Sequence, residues 1–402
     1  MDDDVSSSLR REGFPALGEH LTFLDWGSTG LLAEPARLRV REYLDEAAVC
    51  PSGEAGWMHV RHAETLDRAR SEAAALIGAR KEEVAVVEST TVGLLAACEA
   101  IPLLPGENVI LSGLDYGAVA MPWKMRARRD EIELRFVPSR TGRIEAEDVL
   151  DAVDEKTRVM ALSSLAWTTG ALTDLGTLGE EARRLGILFI VDGVQSVGVV
   201  PMDVKALGID FLAVGGHKWL CSPLGAGFLY VDRLKAARYQ PRRIGMLSGR
   251  PAGRSFIEWF QDPGASPEDE IFFLASARTF EAGGTPNYPG IIGLQASLEL
   301  FRRAGPAAIH AHVLRLGDDL MSGLEGLGFR IVTPREEAWR AGVVVFNHGE
   351  GPAAEKDLVR KLRERRIVAS VRYCAGFGGV RVCLHGMNDR SDVGRLLEAL
   401  AE

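Results

Sequence analysis

Between residues 84 and 231 the chain repeats one pattern: a short apolar run stops abruptly at polar or small groups, and an amphipathic or alanine-rich stretch follows. Strands buried on both faces of a parallel sheet read this way. The pattern predicts strands at Val84–Val87, Asn108–Ser112, Glu133–Val137, Val159–Ser163, Leu188–Asp192, Phe211–Val214 and Gly227–Val231, with helices such as Leu175–Leu185 between most of them. Strands alternating with helices imply an α/β fold, a mostly parallel central sheet with helices on both faces, and functional groups at the carboxyl ends of the strands.

The flanks read differently. Ahead of the repeat, the apolar run Leu21–Leu24 breaks into Asp25-Trp26-Gly27-Ser28-Thr29-Gly30, a surface turn or a place where backbone amides approach a ligand closely. Helices are predicted from Pro35 to Ala48 and from His62 to Ile77, joined by a flexible link, Gly53-Glu54-Ala55-Gly56-Trp57. Past Asp232 the rhythm fails. Residues 238–270, rich in Gly, Pro, Arg and Ser, read as a long loop or insertion, and a glycine-rich turn over Phe280–Asn287 leads into a helix at Ile291–Arg303. Strands near Arg330–Val332 and Gly342–Phe346 and helices near Ala354–Arg365 and Asp392–Leu400 suggest a smaller α+β C-terminal domain. The expected division is a large domain of residues 21–290 and a small one of residues 1–20 and 291–402.

Charge and composition narrow the function. A chain of 402 residues with a net charge of -9 and no basic stripe interleaved with aromatics is a poor nucleic-acid binder. No apolar run is long enough to span a bilayer, and the acidic start, Met1-Asp2-Asp3-Asp4, does not read as a secretory signal. Five scattered cysteines without metal-ligand spacing fit a reduced cytoplasm and predict no metal site.

Three places carry candidate chemistry. The strand at Val84–Val87 runs through Glu88 into Ser89-Thr90-Thr91 and then an apolar helix, an order that suits either a helix N-cap or a phosphate at a helix N-terminus. Leu188–Asp192 delivers a carboxylate, followed by Gln195. Phe211–Val214 delivers Lys218 after Gly215-Gly216-His217.

Taken in order, Leu24-Asp25, Thr90-Thr91, Asp192-x-x-Gln195, Gly216-His217-Lys218, Gly284-Thr285-Pro286-Asn287 and the Arg381 segment resemble the class V aminotransferase family of pyridoxal-phosphate (PLP) enzymes, which includes cysteine desulfurases and isopenicillin-N-epimerase-like proteins. The resemblance implies a PLP-dependent transferase fold of type I. It implies that Lys218 holds the cofactor aldehyde and then moves the substrate α-proton, while Asp192 keeps the ring nitrogen protonated and deepens the electron sink. Gln195 is expected at the ring hydroxyl, His217 at the phosphate or beside the lysine, and Thr90 and Thr91 at the phosphate. Thr285 is expected to reach the phosphate of a neighbouring subunit, which implies a homodimer with composite sites. Arg381 would clamp the substrate α-carboxylate, for which a guanidinium fork is suited. Gly27, Trp57, Trp26 and Trp167 are candidates for the substrate pocket, the tryptophans being equally suited to the core.

Departures from the family pattern bear on the reaction. Tyr116, in Asp115-Tyr116-Gly117, stands where desulfurases stack a histidine, and a phenol of pKa about 10 is a poor proton carrier at neutral pH. Gly215 replaces the usual serine before Gly-His-Lys, and Leu95 stands where asparagine is common. Cys374 lies seven positions before Arg381, in what reads as a short loop over Tyr373–Gly379, too short for a mobile nucleophile. The expected function is therefore a PLP enzyme acting on the amino group or α-carbon of an amino acid, an aminotransferase first, with β-elimination, racemisation or desulfuration as alternatives. A non-catalytic binding module on the same fold is the reading from another class.

Overall fold

The computed structural model describes residues 4–15, 17, 21–53, 56–281 and 283–402. Helix α1 (Asp4–Gly13), strand β1 (Thr22–Phe23) and helices α2 (Glu34–Val49) and α3 (Trp57–Leu76) come first. The alternating part follows: β2 (Val84–Val87), α4 (Thr90–Ala100), β3 (Asn108–Ser112), α5 (Gly117–Asp130), β4 (Glu133–Val137), α6 (Ala146–Asp151), β5 (Thr157–Ser163), α7 (Leu175–Leu185), β6 (Leu188–Asp192), β7 (Phe211–Gly215) and β8 (Gly227–Val231). Each expected strand is present within two residues of its predicted bounds. Local chemistry sets the helix ends. In α7, Asp174 accepts the Thr177 N–H at the start, Gly186 ends the helix with φ 69°, and Leu175, Leu178 and Ala182 face the core.

Strands β2 to β8 form one seven-stranded sheet in the order β2-β8-β7-β6-β5-β3-β4. All neighbours are parallel except those of β8, which runs against both β2 and β7. Strands β6, β7 and β8 are buried along their whole length, and separate apolar clusters cover the two faces of the sheet. This is the predicted α/β architecture. The chain leaves β3 for β4 at one edge and returns to β5 on the other side of β3, so the order reverses there and opens a crevice at the carboxyl ends.

After α8 (Arg233–Arg238) the chain forms β9 (Gly249–Pro251), α9 (Phe256–Phe260) and β10 (Ile271–Phe273), a short hairpin enclosing a helical turn. The 238–270 stretch is thus partly ordered, with Asp269 accepting from Trp259 Nε1 at 2.7 Å and from Arg254 at 3.1 Å. Helices α10 (Tyr288–Ala304) and α11 (Pro306–Gly326) come next, then β11 (Arg330–Ile331), β12 (Val343–Asn347), α12 (Pro352–Glu364), β13 (Ile367–Val368), β14 (Ser370–Cys374), β15 (Phe377–Cys383) and α13 (Arg390–Ala401). A second, antiparallel sheet has the order β11-β12-β15-β14, the smaller α+β part that the sequence suggested.

Two expectations need correction. The short loop over Tyr373–Gly379 is a tight hairpin in which Cys374 pairs with Phe377, turned by Ala375 and Gly376 at φ 49° and 84°. The flexible link before His62 is shorter than expected because α3 begins at Trp57; Glu54 and Ala55 lie outside the described residues. The two sheets are joined by the segment after β1. Leu24 accepts the Cys383 N–H at 2.7 Å, which places Asp25 beside the strand that carries Arg381.

Candidate active site

The carboxyl ends of β2, β3, β5, β6 and β7 converge on a cavity of about 340 Å³ whose far wall comes from the β14–β15 hairpin and the turn after Asp25. It is lined by Gly27, Thr90, Thr91, Tyr116, Trp167, Asp192, Gln195, His217, Lys218 and Arg381, ten of the positions singled out in the sequence. Thr285 and Trp57 do not line it. Thr285 is exposed, and Trp57 packs against His62 with ring centroids 6.1 Å apart, under the Arg61 guanidinium. Trp26 is core: fully buried, it donates its Nε1–H to Asn388 at 2.9 Å.

Asp192 ends β6, buried, with Oδ1 accepting the Val194 N–H at 2.9 Å. Burial pushes its carboxyl up to about 6, against the pull of that N–H and of Lys218. The Lys218 ammonium is held below its ordinary pKa by burial, a shift that Asp192 opposes and the Arg381 and Arg372 charges reinforce. Its Nζ lies 5.7 Å from the Tyr116 ring centroid. Burial also lowers His217, and the Lys218 charge adds to that. Gln195 is fixed at both ends, donating Nε2–H to the Gly27 carbonyl at 3.0 Å and accepting from Trp219 Nε1 at 2.9 Å.

Tyr116 caps α5, half exposed, and meets Trp167 edge-on at 5.3 Å and 83°. Behind it, Asp115 ties β3 to β5 by accepting the Ser112 N–H at 3.0 Å and the Ser163 N–H at 2.8 Å. Burial, with a smaller contribution from Asp192, pushes its carboxyl up to about 7.

The opposite wall is a preassembled cationic cluster. Arg381, 2% exposed, donates from Nη2 to Asp25 at 3.0 Å and to Ser28 Oγ at 2.6 Å, and from Nη1 to the Trp167 carbonyl at 3.2 Å. Ser28 gives its proton to Asp25 at 2.9 Å, so its lone pairs accept from Arg381 and also from Arg372 at 2.9 Å. Asp25 receives a further hydroxyl from Ser370 at 2.9 Å. Arg372, Ser28 and the anchoring role of Asp25 were missed from sequence. The signal was present in the alternation Ser370-Val371-Arg372, which puts Ser370 and Arg372 on the face of the hairpin shared with Arg381.

Cys374 does not line the cavity. Its Sγ lies 3.5 Å from the Gly113 carbonyl, and burial, with the Asp115 charge, pushes the thiol up and away from the thiolate.

Whether the wall suits a cofactor can be judged from its unpaired groups. Among the described residues, three buried polar atoms on lining residues lack a partner: Thr90 Oγ1, Trp167 Nε1 and Arg381 Nε. All three can donate. An unmet buried group costs roughly 1–3 kcal/mol, so these three unpaired donors suit an anionic ligand. Together with a buried carboxylate facing a desolvated lysine, it fits a phosphorylated pyridine aldehyde carrying an amino acid. Among the described residues there is no cluster able to hold a metal ion and no helix long and apolar enough to cross a membrane.

Fold and site together define a PLP-dependent enzyme of fold type I that acts on an amino acid. A family model for aminotransferase class-V matches residues 22–396, and the chain belongs to that family. It is similar to a probable cysteine desulfurase of Methanothermobacter thermautotrophicus, 29% identical over 79% of this chain and 76% of that protein. A cysteine desulfurase of Escherichia coli O8 is 32% identical over 71% and 68% of the two chains. Among solved structures, the cystine C–S lyase C-DES in complex with cysteine persulfide superposes with a TM-score of 0.84 at 25% identity, over 97% of this chain and 99% of that one.

Proposed function

We propose that the enzyme cleaves the Cβ–S bond of a sulfur-containing α-amino acid by elimination. PLP, when bound, supplies an electron sink for the bond broken at Cα. Asp192 and Lys218 would hold it from the carboxyl ends of β6 and β7, Gln195 and His217 from the two neighbouring loops, and Thr90 and Thr91 at its phosphate. Arg381, its guanidinium already oriented by Asp25 and Ser28, binds the substrate α-carboxylate. Lys218, desolvated and so more readily neutral than a surface lysine, takes the Cα proton. The thiolate leaves from Cβ, and water releases ammonia and pyruvate.

The observation that carries the choice of reaction is the seat of Cys374. A thiol pinned in a tight hairpin turn, outside the cavity and shifted toward its neutral form, is a poor candidate to attack substrate sulfur. Expelling a thiolate needs no acid, because a thiol ionises near pH 8.5. The C–S lyase similarity points the same way.

Transamination, the first expectation from sequence, shares the proton transfer to Lys218 and differs in where the proton goes next. Products decide between them. With L-cystine or L-cysteine, elimination gives pyruvate, ammonia and a sulfur product, whereas desulfuration gives alanine. Transamination gives a keto acid only when a second keto acid accepts the amine. Alanine formation abolished by Cys374→Ala would sink the elimination reading. Thr285, exposed and off this chain's cavity, supports a homodimer in which it reaches the partner's phosphate site. A monomeric, active enzyme in light scattering would rule out that part.

A further inference from the structure

The Gln195 amide can donate from one end and accept at the other, and which end is committed elsewhere decides what it offers the cavity. Two neighbours of fixed polarity settle the orientation. The Trp219 indole can only donate, and its Nε1–H reaches Gln195 Oε1 at 2.9 Å; the Gly27 carbonyl can only accept, and it takes a hydrogen from Nε2 at 3.0 Å. Turning the amide over would set N–H against N–H and oxygen against oxygen. Oε1 is directed at Trp219 and at the α-carbon of Gly27, where a Cβ would lie 3.0 Å from it. Gln195 is 6% exposed and lines the cavity, so the second Nε2 hydrogen is the polar group it has left to present there.

Trp219 does not line the cavity; it is fully buried behind it and held rigidly. Gly386 donates its N–H to His385 Nδ1 at 2.7 Å, which leaves the imidazole proton on Nε2, 2.8 Å from the Trp219 carbonyl. Burial pushes the His385 imidazole down to about 4, so this neutral form persists at neutral pH. The indole packs on the His385 ring, centroids 5.4 Å apart, and against Gly342, where a Cβ would lie 3.3 Å from it. A phenyl ring would fill most of this space; what the indole adds is a donor aimed at Gln195. We infer that Trp219 is a positioning residue that locks the Gln195 amide as a donor toward the ring oxygen of PLP. The inference rests on the PLP reading of the site and adds a residue outside the cavity that sets the polarity of one inside it. A donor at the ring oxygen stabilises its negative charge and loosens its hold on the proton it shares with the nitrogen of Lys218.

The test titrates the PLP-loaded protein with pH and follows its visible absorption band, whose position reports that shared proton. Gln195→Ala removes the donor and should raise the midpoint by about one pH unit. Trp219→Phe should raise it by about half a unit or more, because the released amide no longer presents a donor in every molecule. Added to Gln195→Ala, it should move the midpoint no further. Benzothienylalanine at position 219, which keeps both rings and puts sulfur in place of the N–H, should shift the midpoint as Trp219→Phe does and stands in for it if that variant does not fold. Circular dichroism confirms that each variant is folded. An unchanged midpoint when the indole N–H is removed, with Gln195→Ala shifted, overturns the inference and leaves the place of Gln195 standing. So does an equal shift from Trp219→Phe with and without Gln195, because the effect would then not pass through the amide. An unshifted Gln195→Ala overturns the place of Gln195 at the ring oxygen and the inference with it, and a wild-type protein that shows no band overturns the cofactor assignment itself.

Discussion

At the carboxyl ends of β6 and β7, Asp192 is buried and Lys218 partly buried: the carboxylate accepts one backbone N–H, and desolvation drives both groups toward their neutral forms. Across the cavity, Arg381 is buried too, yet it is anchored by Asp25, Ser28 and the Trp167 carbonyl, and Arg372 joins it through the same Ser28 hydroxyl. Buried charge is expensive wherever it lies, and the two regions meet that cost differently. The Arg381 guanidinium is largely anchored within the chain, Nε alone lacking a partner, as suits the proposed clamp that must meet every incoming substrate in one geometry. The carboxyl ends of β6 and β7 are incomplete, as the proposed binding mode requires, in which PLP would bring a ring nitrogen to Asp192 and an aldehyde to Lys218.

That contrast predicts how each side fails. Lys218→Ala should lower turnover about a thousandfold or more, without loss of folding, because it removes both the attachment point and the base. Arg381→Ala should act mainly through KM, raising it about a hundredfold and leaving Asp25 without its guanidinium partner. Equal losses in kcat and KM there would blur the division between the two walls.

Asp192→Asn should cost about ten- to a hundredfold in turnover by weakening a charge-assisted contact. It should also change the pH dependence of the apoprotein. A folded pKa of about 6, raised from 3.8, means that the folded state keeps its proton while the unfolded state gives it up. The stability this group contributes is therefore full below about pH 4 and lost as pH rises through about 6. Asp115, raised to about 7, extends the same fall. Thermal unfolding of the apoprotein should drop over this window, and less steeply in Asp192→Asn; a flat profile in the unmodified apoprotein would contradict the buried-carboxylate account. The smallest effect is expected at Cys374→Ala, within about twofold of wild-type elimination, measured as pyruvate release.

The half of the site at the ends of β6 and β7 was legible in the sequence because it depends on local order. An apolar run that stops at Asp192, and another that stops just before Gly-Gly-His-Lys, each announce a strand end. The opposite wall was only partly legible. Arg381 was found through family resemblance, but Arg372 and Ser28 become neighbours through a hairpin and a segment 344 positions apart. No local periodicity encodes that contact. The tryptophans show the same limit from the other direction. Trp26 follows a strand as a pocket residue would, but its indole N–H finds Asn388 in the core, and Trp57 opens a helix whose neighbour is His62. Helix α11 lies outside the predicted elements although Ile309, Val313, Leu316, Leu320 and Leu324 recur at helical spacing.

The central claim is that the ends of β6 and β7 are completed by PLP attached to Lys218. Its most direct test is to saturate the purified protein with PLP, reduce with borohydride, digest, and locate the label by mass spectrometry. A visible absorption band that disappears on reduction, with the pyridoxyl group on the peptide containing Lys218, is the predicted result. Absence of the band, or stable labelling confined to other lysines, would contradict the account.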